Sequence, residues 1–169
     1  WKVRFAGDEM YQHSVKSYYR LISGVDRVVG RIVRKLEELG LERDTIIVYT
    51  GDNGFYLGER GFAGKWFPHE VSIRVPLVVY DPRSPAERRG KRCDQTVLSI
   101  DLAPTMLAMA GVEVPQRMQG QSLLPLVRGE QPAWRTEFFY EHSFRHGTIP
   151  RNEAVRDERY KYIRFLDAE

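Results

Sequence analysis

Between Tyr18 and Leu39, apolar side chains recur at helical spacing: Tyr18, Leu21, Ile22, Val25, Val28, Val29, Ile32, Val33, Leu36 and Leu39. This i, i+3, i+4, i+7 pattern predicts a long one-sided amphipathic helix, which must bury its stripe against another layer. Arg27, Arg31, Arg34, Lys35 and Glu38 fall on the opposite face, and Gly40 stands where a helix stops. Thr45-Ile46-Ile47-Val48-Tyr49-Thr50 follows, a β-branched run that suits a strand covered on both faces, as in a parallel sheet. A second such run is Val75-Pro76-Leu77-Val78-Val79-Tyr80, with Pro76 at its start. Asp101 to Ala110 predicts another helix, with Asp101 as N-cap, Pro104 in the first turn and Gly111 at the end. Helix, strand, loop, strand and helix together predict an α/β layered fold.

The character changes after residue 111. Pro115, Gly120, Pro125, Gly129 and Pro132 punctuate a surface connection. Beyond it, Thr136–Tyr140, Ala154–Arg156 and Tyr160–Phe165 predict strands, with Asp157-Glu158-Arg159 as a hairpin turn. The expected organisation is therefore a core over residues 1–132 and a small antiparallel subdomain over 133–169.

Composition narrows the function classes. A hydrophobic content of 42% supports a core, and the net charge of +3 is spread among mixed acidic and basic residues. The densest basic run, Arg88, Arg89, Lys91 and Arg92, sits in a predicted loop, so no basic stripe argues for nucleic acid. Cys93 is the single cysteine, which excludes an intrachain disulfide. No apolar run approaches the about 20 residues of a membrane-spanning helix. The sequence begins at Trp1, and the expectation is that an N-terminal portion precedes it.

The chemistry concentrates between Gly51 and Pro76. Asp52 and Asn53 follow directly on a predicted strand, and ligands of open α/β sheets gather at the carboxyl ends of strands. A carboxylate beside a carboxamide offers two hard oxygen donors, which suit Ca²⁺ or Mg²⁺. The same residues also suit a plain Asx-Gly turn. Gly54, Gly58, Gly61 and Gly64 make a pliable loop, and Lys65 arrives at its end among Gly64, Trp66 and Phe67. That apolar setting could turn the Lys65 ammonium toward an anion.

Thr50-Gly51-Asp52-Asn53-Gly54-Phe55-Tyr56-Leu57-Gly58-Glu59-Arg60-Gly61, then Gly64-Lys65, then Glu70-Val71-Ser72-Ile73-Arg74-Val75-Pro76-Leu77, resembles the C-terminal signature of the sulfatase family. Ser99–Thr105, Gly120–Leu126 and the terminal pair Ala154–Arg156 with Tyr160–Ile163 resemble further blocks of that family. The resemblance implies the C-terminal portion of an alkaline-phosphatase-like α/β sandwich. It also implies a metal-dependent hydrolase of sulfate esters, with sulfated carbohydrates among the substrates. Asp52 and Asn53 match the family's metal ligands for Ca²⁺ or Mg²⁺. Lys65 matches the lysine that contacts sulfate and stabilises the departing oxygen. The family's nucleophile is a formylglycine made within Cys-x-Pro-Ser-Arg. Cys93 lies instead in Arg92-Cys93-Asp94-Gln95, so the formylglycine is expected in an N-terminal half, and this chain alone is expected to be inactive.

His142 is expected to help recognise the organic part of the substrate, since the family's C-terminal subdomain often reaches the mouth of the cleft. The alternative is an ordinary loop histidine. His69 could line the pocket or simply pack. Two other functions compete: a phosphodiesterase or phosphonate hydrolase of the same superfamily, and a non-catalytic metal-binding or oligomerising domain. An uncovered sheet edge predicts an exposed hydrophobic face or self-association. The residues themselves do not reveal a compartment, although periplasmic or secreted relatives are common.

Overall fold

A computed structural model describes residues 5–147 and 149–167. They form two compact units. One takes the chain up to Pro82 with Glu141–Glu153 and the residues from Arg164 on; the other takes Arg83–Tyr140 and Ala154–Ile163.

In the first unit, α1 runs over Asp8–Glu38, starting ten residues before the apolar stripe does. Asp8 and Glu9 in its first turn and Lys35 in its last complement the helix dipole. Gly40, at φ 67°, ends it: the Gly40 amide donates to Glu37 O and the Leu41 amide to Leu36 O. This pair of bonds satisfies carbonyls that the helix leaves open. No residue of α1 is buried, and Leu21 is 70% exposed. An apolar groove of about 510 Å³ runs between α1 and two strands, lined by Ile22, Val25, Val29, Val33, Leu36, Tyr49, Val78 and Tyr80 among others.

Those strands are β1 (Ile47–Thr50) and β4 (Leu77–Tyr80), and they pair antiparallel from Ile47↔Tyr80 to Thr50↔Leu77. The parallel arrangement suggested by their apolar runs is not what this pair adopts. A parallel pair needs a crossover, commonly a helix. Here the connection is a folded loop. It carries the two-residue strands β2 (Tyr56–Leu57) and β3 (Ala63–Gly64), which pair with each other, and the four-residue helix α2 (Glu70–Ile73). Tyr56, fully buried, anchors the loop core beside Phe62, with the Phe67 ring tilted against Phe62 at 4.6 Å. His69 joins this cluster, its Nδ1 2.6 Å from the Tyr56 hydroxyl, and so has a packing role.

Farther along the same unit, the Arg151 guanidinium and backbone amide grip Asp167, at 2.7 Å and 2.8 Å respectively. These hydrogen bonds hold the Asp167 carboxyl at about 2, against an ordinary 3.8. A depressed carboxyl pKa favours the folded state above the ordinary value, and the contribution disappears as pH falls through the lowered one. Carboxyl NMR titration of Asp167 should therefore give a midpoint near 2. The Arg151→Ala variant should return it toward 3.8.

In the second unit, a single turn at Ser99–Asp101 leads into α3 (Leu102–Met109), and α4 (Leu124–Val127) packs on it. Asp101 sits at the start of α3 as expected, but its carboxylate reaches other partners. It accepts the amides of Leu98 and Gln121, both at 2.8 Å, and both terminal nitrogens of Arg135, at 2.5 Å and 2.7 Å. Thr105 extends the network by donating to Asp101 O and accepting the Leu123 amide. Gly120 approaches so closely that a Cβ there would lie 2.0 Å from Ile100 O. The blocks Ser99–Thr105 and Gly120–Leu126 thus meet in one buried node.

The third sheet has the order β5 (Glu137–His142), β6 (Asn152–Asp157), β7 (Lys161–Phe165). The β6–β7 turn closes where the sequence predicts it. The Asp157 amide donates to Tyr160 O, and the Asp157 carboxylate caps the Arg159 and Tyr160 amides. Among the described residues no helix is long and apolar enough to cross a membrane.

Candidate active site

The site grows from the end of β1. The chain leaves the strand at Gly51, and the Asn53 amide donates to Asp52 Oδ1 at 2.8 Å, which fixes the turn. Asn53 Nδ2 donates to Gly54 O, so the carboxamide oxygen faces away from that bond. Gly54 then passes against α2. Its amide donates to Ser72 O at 2.7 Å, and a Cβ on Gly54 would lie 2.0 Å from Val71 O. Only glycine permits this approach. Gly54→Ala should therefore cost about 1–3 kcal/mol through forced backbone shifts. Denaturant unfolding should register that loss.

Lys65 enters from the other side of the loop, just after β3. Its Nζ donates to Asn53 Oδ1 at 2.7 Å. Two of the residues singled out in the sequence, Asn53 and Lys65, are therefore in direct contact, and Asp52 is bonded to Asn53. Asp52 is exposed and Asn53 and Lys65 are partly buried. His142 lies elsewhere in the same unit. Its ring centroid is 5.3 Å from that of Trp66, and its Nε2 is shielded from solvent with no hydrogen-bond partner among the described residues.

Three participants were not legible as such. Trp66 holds φ at 99°, a left-handed conformation unusual for a bulky residue. Its amide donates to Ser72 Oγ, and its carbonyl accepts Asn152 Nδ2, both at 3.2 Å. Ser72 and Asn152 are 4% and 0% exposed, so the strained peptide is clamped from the interior. The Trp66 ring lies 5.2 Å from Lys65 Nζ. Nothing in the residue type forecasts a positive φ, so only its place between Lys65 and the buried loop could have drawn attention to Trp66.

Asp52 and Asn53 present hard oxygens side by side, and Asn53 Oδ1 keeps a second lone pair beyond the Lys65 contact. That chemistry fits Ca²⁺ or Mg²⁺. Among the described residues no three of His, Cys, Asp and Glu gather as a metal cluster. Calcium takes about six to eight oxygens, so Asp52 and Asn53 fit as part of a shell and not as the whole of it.

Comparison with known proteins agrees with this architecture. The Sulfatase family model matches residues 2–112, and the model described as N-sulphoglucosamine sulphohydrolase, C-terminal, matches residues 58–169. The N-acetylglucosamine-6-O-sulfatase of Bacteroides thetaiotaomicron is 38% identical over 93% of this chain and 29% of its own length. The structure of BT4656 in complex with its substrate D-glucosamine-2-N,6-O-disulfate superposes with a TM-score of 0.79 at 34% identity, over 95% of this chain and 33% of that one. The phosphonate monoester hydrolase SpPMH of Silicibacter pomeroyi gives a TM-score of 0.85 at 31% identity, over 94% of this chain and 34% of that one. The chain belongs to the sulfatase family. It spans about a third of the length of these relatives.

Proposed function

We propose that this chain provides the C-terminal share of the active site in a sulfuric ester hydrolase whose substrate is a sulfated carbohydrate. The observation that carries this is the Lys65 Nζ–Asn53 Oδ1 contact of 2.7 Å at the end of β1, with Asp52 bonded to Asn53 alongside. It gathers an ammonium and two oxygen donors within one loop. Lys65 binds a sulfate oxygen and stabilises the negative charge that builds on the departing alcohol oxygen. Asn53 holds the ammonium in place, which limits reorganisation as the charge develops. Asp52 and Asn53 would hold a Ca²⁺ or Mg²⁺ ion, which supplies positive charge at the sulfate when bound. His142, whose ring packs against Trp66, contributes to recognition of the organic part. The sequence contains no Cys-x-Pro-Ser-Arg, so the formylglycine and the remaining metal ligands come from outside these residues, and the chain alone has no turnover.

The relatives named for glucosamine sulfates favour a sulfated hexosamine. The phosphonate monoester hydrolase favours a second reading, hydrolysis of a phosphonate or phosphate ester on the same residues. The test is a substrate comparison on the polypeptide that contains this chain. Preferred turnover of glucosamine 6-sulfate and aryl sulfates is expected. Preferred turnover of phenylphosphonate esters would overturn the sulfatase reading in favour of the second.

A further inference from the structure

The geometry points to Trp66 as the platform on which the ring of a sulfated sugar lies while its sulfate group meets Lys65. This inference rests on the reading of Lys65 as the sulfate contact.

The starting observation is the strained peptide. A tryptophan at φ 99° is conformationally unfavourable, and such outliers persist only where the surroundings over-determine them. Here they do. Ser72 holds the Trp66 amide and Asn152 holds its carbonyl, and both clamps are buried. The conformation is not needed to bury the indole, because Trp66 remains 38% exposed. The strained backbone instead presents a large aromatic ring partly to solvent, next to an ammonium.

The neighbourhood of that ring is also aromatic. His142 contacts it at 5.3 Å, and Phe144 stacks nearly parallel to it at 6.4 Å, with an angle of 28°. Phe144 is itself mostly exposed. These rings brace the indole from the end of β5 and the segment just after it. Lys65 Nζ lies over the indole, 5.2 Å from the Trp66 ring centroid. A ligand that pairs an anionic group with a flat, partly apolar ring fits both features at once. The C–H face of a pyranose carrying an O-sulfate is such a ring. A small alkyl sulfate satisfies only Lys65. Trp66 thereby acts as a specificity residue, and His142 and Phe144 position it.

The experiment is an NMR titration of the 169-residue chain with glucosamine 6-sulfate and, separately, with methyl sulfate, which bears the same charged group and no ring. The wild-type chain should bind the sugar sulfate about tenfold more tightly, a usual scale for one well-placed aromatic contact. Saturation of the Trp66 indole protons should transfer to sugar ring protons. Trp66→Phe should keep most of the preference. Trp66→Gly should bring the ratio of the two affinities to about one, and glycine suits the left-handed backbone so the fold survives.

A Trp66→Gly chain that keeps the tenfold preference, or a wild-type chain with no transfer from the indole, would overturn the platform. A Lys65→Ala variant separates the two levels of the account. If Lys65→Ala leaves methyl sulfate binding intact, the reading of Lys65 fails and takes the platform with it. If Lys65→Ala abolishes methyl sulfate binding while Trp66→Gly keeps the preference, only the platform fails.

Discussion

Replacing Lys65 with alanine is expected to lower turnover of a sulfate ester about 10²–10³-fold in the enzyme that contains this chain, the range found for removing one preorganised donor from a developing oxyanion. Little reorganisation of the ammonium is expected during reaction, because Asn53 Oδ1 already holds it at 2.7 Å. Charge on the leaving oxygen is larger in the transition state than in the bound ester. The loss should therefore fall mainly on kcat and less on KM. Lys65→Arg should rescue poorly, since a planar guanidinium does not reproduce a point charge on a flexible stem. Steady-state kinetics on an activated aryl sulfate checks both statements. A Lys65→Ala enzyme within threefold of wild type would remove Lys65 from the chemistry.

The second large effect concerns stability. Asp101 is fully buried and serves Arg135 twice, the Leu98 amide and the Gln121 amide. Asp101→Ala leaves a mostly buried guanidinium and two amides without their acceptor. Removing one member of a buried ion pair costs about 3–5 kcal/mol. Domains are typically stable by about 5–15 kcal/mol, so the variant should be close to unfolding at room temperature. Urea denaturation of the wild type, Asp101→Ala, and the double variant Asp101→Leu with Arg135→Met gives the comparison. Removing both charges should cost less than removing the aspartate alone, because no charge is left stranded. Equal losses would mean that the ion pair is not what the node depends on.

The sequence made some of this legible and hid the rest for physical reasons. Asp52, Asn53 and Lys65 stand close in the chain, and a glycine-rich loop can bring such neighbours together without help from distant elements. The amphipathic stripe of α1 announced a helix, but its first turns, Asp8 to Ser17, are mostly polar and carry no stripe to count. Strand direction was not legible, because an apolar β-branched run reports burial and not the sense of its partner. Asp101 could be read as a helix start, since that role is local. Its bond to Arg135 lies 34 residues away and depends on the tertiary fold. His142 was read as a substrate contact from its subdomain alone. The structure places its ring against Trp66, a contact that no spacing rule encodes.

The central claim is that Asn53 and Lys65 act as one unit on a single anionic ligand. A double-variant cycle on kcat/KM for sulfate ester hydrolysis, with Asn53→Ala, Lys65→Ala and the pair, measures that directly. Strong non-additivity is predicted, with a coupling of about 0.5–3 kcal/mol, so that the pair loses clearly less than the sum of the two single losses. Additive losses from the two substitutions would contradict it.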